Sequence, residues 1–184
     1  SVDGFILNSL TTQRTVKGLE SRGVESSQPS LVAYPPTDRF GDAIPEDQII
    51  ERAKQKEFRI LFLGNIIERK GLHTLLDALF ILHPSHFILD IVGSLSADPI
   101  YAKAMQTKAA SLSSPVTFHS ALDNAPLARL LRQAHVLCVP STYEGFGIVY
   151  LEGMGFGLPA IGTTLGAAGE VIEDGVTGFL IQPG

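Results

Sequence analysis

The segment STYEGFGIVYLEGMGFG (residues 141–157) places two carboxylates, Glu144 and Glu152, eight positions apart among five glycines. Paired carboxylates suggest acid and base chemistry, and the glycines suggest a turn that cradles phosphate. On a helix, eight steps of about 100° leave the two side chains roughly 80° apart around the axis and up to about 12 Å along it. A hydrolytic pair needs carboxyls about 5–9 Å apart across one bond. The spacing therefore suits two groups that reach different hydroxyl-rich parts of one extended ligand. Gly145 and Gly147 flank Phe146, permitting a sharp turn whose backbone N–H groups are open to a diphosphate at the start of a helix. The plain alternative is a surface Glu144 and an exposed or capping Glu152.

A second candidate stretch is GNIIERKG (residues 64–71). Gly64 lets backbone approach a ligand closely, and Arg69 and Lys70 arrive just before a helix that begins near Gly71, an arrangement suited to phosphate. The order of residues is not that of a Walker A loop, and no GxGxxG follows the first strand, so a nicotinamide or flavin dehydrogenase lacks its main support.

The elements that must position these groups read as alternating strands and helices. FRILFLG (58–64), FILDIVG (87–93), PVTFHS (115–120), HVLCVPS (135–141), LPAIGT (158–163) and TGFLIQ (177–182) are short apolar runs of the kind found in buried parallel strands. Between them, 71–82, 98–112, 123–134, 145–155 and 166–174 carry helical spacing or helix starts. In the first, Leu72, Leu75, Leu76, Leu79 and Leu82 form one stripe. The alternation predicts an α/β fold: a Rossmann-like, doubly wound parallel sheet of about six strands with helices on both faces. In such a sheet ligands bind outside the carboxyl ends of the strands, where the glycine-rich and polar stretches fall.

Residues 1–34 read as a strand followed by a helix, a short remnant that is either the tail of an earlier domain or packed onto this one. A polar, turn-rich link through Pro35, Pro36 and Pro45 follows.

With 184 residues and 45% hydrophobic content the chain can bury one good core. Its formal charge of -5, with no block of Lys and Arg, lacks the footprint of a nucleic-acid binder. The single cysteine, Cys138, lies in an apolar run and reads as a small core hydrophobe, in keeping with a reducing compartment. No stretch approaches the roughly 20 apolar residues of a membrane span. The start at Ser1 and the stop after FLIQPG suggest a piece of a longer protein.

PSTYEGFGIVYLEGMGFGLPAIGTTLGAAGEVIEDGVTGFLIQPG resembles the donor-binding signature of the retaining GT-B glycosyltransferases of family 4, relatives of glycogen and sucrose synthases. Glu144, seven residues and Glu152 meet the family's two-glutamate pattern. LFLGNIIERKGLHTLLDALFIL is similar to the family's first strand and helix, and ILDIVGS to its second strand. FILNSLTTQRTVKGLESRG followed by LVAYPPTDRF resembles the close of the N-terminal acceptor domain and its linker. On this resemblance residues 1–40 are the end of the acceptor domain and linker. Residues 41–184 are the donor domain, short of its extreme C-terminus.

The resemblance implies binding of a UDP-, GDP- or ADP-sugar and transfer of the sugar with retention, with neither cofactor nor essential metal. Lys70 and Glu144 would be catalytic, Lys70 on the diphosphate and Glu144 on the transferred sugar. The backbone of Gly145, Phe146, Gly147 and Ile148 would lie near sugar and diphosphate, Glu152 would accept from the ribose, and the base would lie near Gly93, Ser94 and His119. Asn65 stands where the family has an arginine after the strand-end Gly64. Either Arg69 reaches in instead, or phosphate binding is weaker, or the donor is handled differently. Ser120 in place of a glycine and the YPPTD linker are further departures. The implied acceptor is a sugar, lipid-linked sugar or polysaccharide held mainly by the missing N-terminal domain. The implied location is cytoplasmic, with membrane association open through that other part. A non-catalytic nucleotide-sugar binding module and a GT-B nucleotide-sugar epimerase are the alternatives.

Overall fold

A computed structural model of the chain describes residues 3–20, 28–41, 44–82 and 87–183. Six strands form one all-parallel sheet: β3 (Phe58–Leu63), β4 (Phe87–Val92), β5 (Val116–His119), β6 (Val136–Cys138), β7 (Ala160–Thr163) and β8 (Gly178–Ile181). Their spatial order is β5-β4-β3-β6-β7-β8. The chain builds leftward from β3 to β5, then returns to the other side of β3, where Ile60 pairs with Val136 and Leu61 with Leu137. This reversal is the topological switch point at which open α/β sheets bind ligands.

The central strands run apolar without alternation because both faces are covered: Leu61, Phe62, Leu89, Ile91 and Leu137 are all fully buried. Right-handed crossovers place α3 (Leu72–Leu82) and α4 (Pro99–Ala109) on one face, and α5 (Asn124–Gln133) and α6 (Ile148–Met154) on the other. Four leucines of the α3 stripe, Leu72, Leu75, Leu76 and Leu79, are buried as their spacing predicts, whereas Leu82 at the end of the helix is exposed. Helix α4 starts where Asp98 accepts a hydrogen bond from the Tyr101 N–H at 3.0 Å, with Pro99 as its first residue.

Three elements depart from the sequence reading. Residues 166–174 are not a helix: a single 3-10 turn, Ala168–Glu170, is all that forms, because Gly166, at a left-handed φ of +85°, and Gly169 disfavour a helix there. The polar link contains a helix, α2 (Glu46–Ala53). Its buried Arg52 donates from Nη1 to Phe156 O and from Nη2 to Gly157 O, both at 2.9 Å. His135 completes the attachment: its Nδ1 accepts the Arg59 N–H at 3.0 Å, so Nε2 carries the proton donated to Arg52 O at 2.9 Å. A further strand, β2 (Ser30–Val32), pairs in parallel with β1 (Phe5–Leu7) as a separate two-stranded sheet, with α1 (Leu10–Glu20) between them in sequence. No helix among the described residues is long and apolar enough to cross a membrane.

Candidate functional site

The turn after β3 and the loop after β6 meet at the switch point. Lys70 ends the 3-10 turn Glu68–Lys70, and its Nζ lies 2.5 Å from Glu144 Oε1. Ser141 Oγ donates to the same oxygen at 2.6 Å. Both ions are largely withdrawn from water, with side-chain exposures of 14% for Lys70 and 7% for Glu144. Among the described residues no hydrogen bond falls on Glu144 Oε2. The carboxylate is thus held by one oxygen and offers the other. Beside it lies a cavity of 310 Å³ lined by Asn8, Pro35, Lys70, Glu144 and residues 145–149.

Local backbone chemistry fixes this loop. Gly147 opens α6 at φ +87°, where a Cβ would meet the Tyr150 ring at 2.5 Å. Tyr150 is fully buried and donates from its hydroxyl to Val139 O at 2.8 Å. Burial, reinforced by the nearby Glu144, pushes that hydroxyl far above its ordinary pKa. Behind Glu144, the turn after β7 comes so close that a Cβ on Gly166, at φ +85°, would lie 2.2 Å from Glu144 O. The Ala167 N–H donates to that carbonyl at 2.8 Å.

Glu152 is the fifth residue of α6, about one turn into the helix, whereas Glu144 lies in the loop before it; Glu152 is also buried. Its Oε1 accepts from Arg39 Nη1 at 2.6 Å, and Arg39 Nε donates to Asn124 Oδ1 at 3.0 Å. Its Oε2, like that of Glu144, carries no hydrogen bond among the described residues. Arg39 went unread in the sequence because a lone cation in the link gives no sign of a partner 113 residues away.

The other expected residues are distributed around this centre. The Lys70 stem lies over Gly64, whose N–H donates to Val92 O at 2.9 Å. Phe146 is buried and its ring meets Tyr34 at a centroid distance of 5.5 Å, while Ile148 is exposed. Asn65 is exposed. Arg69 does not line the cavity with Lys70. It is exposed, and Nη1 donates to Tyr143 O at 2.6 Å while Arg69 O accepts from the Thr142 N–H at 2.9 Å, so it braces the loop that carries Glu144. Gly93 and His119 end the neighbouring strands β4 and β5, outside that cavity. His119 Nε2 lies 2.8 Å from Asp90 Oδ1, and Arg59 Nη1 lies 4.0 Å from Asp90 Oδ2, a polar row across β3, β4 and β5.

A separate apolar cavity of 440 Å³ between α3 and the sheet carries no charged side chain. His135 in its wall is committed to backbone groups, and burial pushes the Cys138 thiol up to about 12. It offers no reactive group. Among the described residues no cluster of His, Cys, Asp and Glu is arranged to hold a metal ion.

Residues 57–184 match the family model described as glycosyl transferases group 1. The chain belongs to the group 1 glycosyltransferases. It is 33% identical over 162 residues to a phosphatidyl-myo-inositol mannosyltransferase of Mycobacterium leprae (strain TN), covering 86% of this chain and 37% of that protein. It is also 33% identical over 130 residues to a D-inositol 3-phosphate glycosyltransferase of Arthrobacter sp. (strain FB24), covering 68% of this chain and 31% of the relative. Among solved structures, Anabaena Alr3699/HepE in complex with UDP-glucose superposes with a TM-score of 0.79 at 25% identity, over 100% of this chain and 50% of that one. The group 1 domain therefore has the Rossmann-like fold of the C-terminal half of a GT-B glycosyltransferase. The chain spans about a third of the length of these curated relatives.

Proposed function

We propose that this chain is the donor-binding half of a retaining GT-B glycosyltransferase of family 4, acting on a nucleotide-diphosphate sugar without an essential metal. The observation that carries the reading is the pair of buried glutamates, each anchored through Oε1 and with no hydrogen bond on Oε2 among the described residues. A carboxylate fixed this way accepts hydrogen bonds without spending rotamer freedom on binding. Glu144 accepts from the transferred sugar, and Glu152 from the ribose.

During transfer the bond between the anomeric carbon and the diphosphate oxygen breaks, and its electron pair leaves with the diphosphate. The acceptor hydroxyl adds to the anomeric carbon on the same face, and its proton passes to the departing diphosphate oxygen. Charge grows on the diphosphate, where Lys70 is placed to stabilise it. Lys70 is already held by Glu144, so the cation is in position before charge develops. The acceptor is held mainly by the parent protein's other half, so this chain alone binds donor but transfers poorly or not at all.

A non-catalytic binding module is the second reading, favoured by one observation: Asn65 provides no cation beside the diphosphate. Full-length parent protein given UDP-glucose, GDP-mannose or ADP-glucose with candidate acceptors separates the two. A glycosylated product with the donor's anomeric configuration, read by NMR, is expected. An inverted product contradicts retention, and binding of a nucleotide sugar with neither transfer nor hydrolysis supports the module.

A further inference from the structure

We propose that Asn8 is a hydrogen-bond donor to the transferred sugar, so that the strand and helix at the start of the chain form one wall of the donor site. The inference rests on the donor-site reading above and adds a residue to it.

The cavity beside Glu144 has three polar side chains in its lining: Asn8, Lys70 and Glu144. The rest of its wall is proline, glycine and apolar residues. Lys70 gives one N–H to Glu144 and on the reading above turns the others to the diphosphate, and a carboxylate only accepts hydrogen bonds. Each sugar hydroxyl is both donor and acceptor, so burying one beside Glu144 leaves its oxygen in need of a donor. Asn8 is the neutral side chain in the lining that can supply it.

Asn8 is exposed at the cavity and anchored through its oxygen. Its Oδ1 accepts from Thr12 Oγ1 at 3.0 Å, which leaves both hydrogens of Nδ2 for another partner. The segment that carries it is tied to the loop of Glu144. Fully buried Ser9 donates from Oγ to Gly145 O at 2.7 Å and accepts the Thr12 N–H at 2.9 Å. Glu170 caps α1, accepting the Leu10 N–H at 2.8 Å and the Thr11 N–H at 2.6 Å, with Thr11 Oγ1 at 2.6 Å. A group fixed from two sides contacts a bound sugar at little entropic cost.

The test compares UDP-glucose with UDP, which lacks the sugar, by calorimetric titration of the chain. Asn8→Ala should weaken UDP-glucose about three- to tenfold, the loss of one neutral hydrogen bond, and leave UDP unchanged. Thr12→Val, which frees the amide from its anchor, should shift the same ratio less. Independently of any variant, the Asn8 Nδ2 resonances should move when UDP-glucose is added and stay in place with UDP. Equal weakening of both ligands by Asn8→Ala, no change in either, or Nδ2 resonances indifferent to UDP-glucose would overturn the assignment. If the unaltered chain binds neither ligand, the same comparison is made with GDP-mannose and GDP and with ADP-glucose and ADP; binding of none of them means that the donor-site reading fails, and the inference with it.

Discussion

Lys70 and Glu144 join the turn after β3 to the loop after β6 by an ion pair of 2.5 Å across the switch point of the sheet. A pair this sheltered behaves differently from a surface salt bridge, because removing one partner strands the other's charge. Lys70→Met or Glu144→Leu alone should lower the unfolding free energy by about 2–4 kcal/mol, while the double variant should cost less than the two singles summed. Urea unfolding of the four proteins reads this directly. Additive costs would mean that the two groups do not interact.

The approach of the Gly166 turn to Glu144 makes a separate prediction. Gly166→Ala combines a left-handed backbone with a Cβ placed 2.2 Å from Glu144 O, whereas Gly175 has a similar φ of +75° and open space around it. Gly175→Ala should cost about 1 kcal/mol from backbone strain, and Gly166→Ala about 3 kcal/mol or more. Equal costs would show that the turn yields without disturbing Glu144.

Glu170 gives the molecule an acid-sensitive contact. Burial alone would raise its pKa, but the Thr11 hydroxyl and the Leu10 and Thr11 N–H groups outweigh it and hold the carboxyl below its ordinary value of 4.5. A group depressed in the folded state contributes stability that is complete above the unfolded value and lost as pH falls through the folded one. The unfolding free-energy difference between the unaltered chain and Glu170→Gln should be constant above about pH 5.5 and shrink as pH falls below 4.5. A difference that grows on acidification contradicts the contact.

Cys138, buried and pushed up to about 12, should be inert in the folded chain. A disulfide exchange reagent at about pH 8 should label it only at the rate of unfolding, and within minutes once urea is added. Rapid labelling of the folded protein would show that β6 is open to solvent.

The sheet was legible because buried parallel strands carry continuous apolar runs, as ILFL in β3 and VLC in β6 do, and because α3 repeats leucine at helical spacing. The end of the chain was misread at 166–174, where glycine outweighs the periodicity. Helix α2 escaped notice because Ile49 and Ile50 are its only large apolar residues, and it is anchored instead through the guanidinium of Arg52. In the site, the spacing of Glu144 and Glu152 exposed both glutamates, since residues close in sequence share one loop and helix. Ser9, Arg39 and Glu170 were hidden for the opposite reason. Each acts on a partner more than 100 residues away, and a single sequence carries no trace of such pairs.

The most direct test of the donor-site account is calorimetric titration of the chain with UDP, GDP and ADP, beside Lys70→Ala and Glu152→Ala. Saturable binding of at least one nucleotide is expected, weakened about tenfold or more in each variant through loss of a charged hydrogen-bonding partner. No saturable binding at millimolar concentration, or binding indifferent to both substitutions, would contradict it.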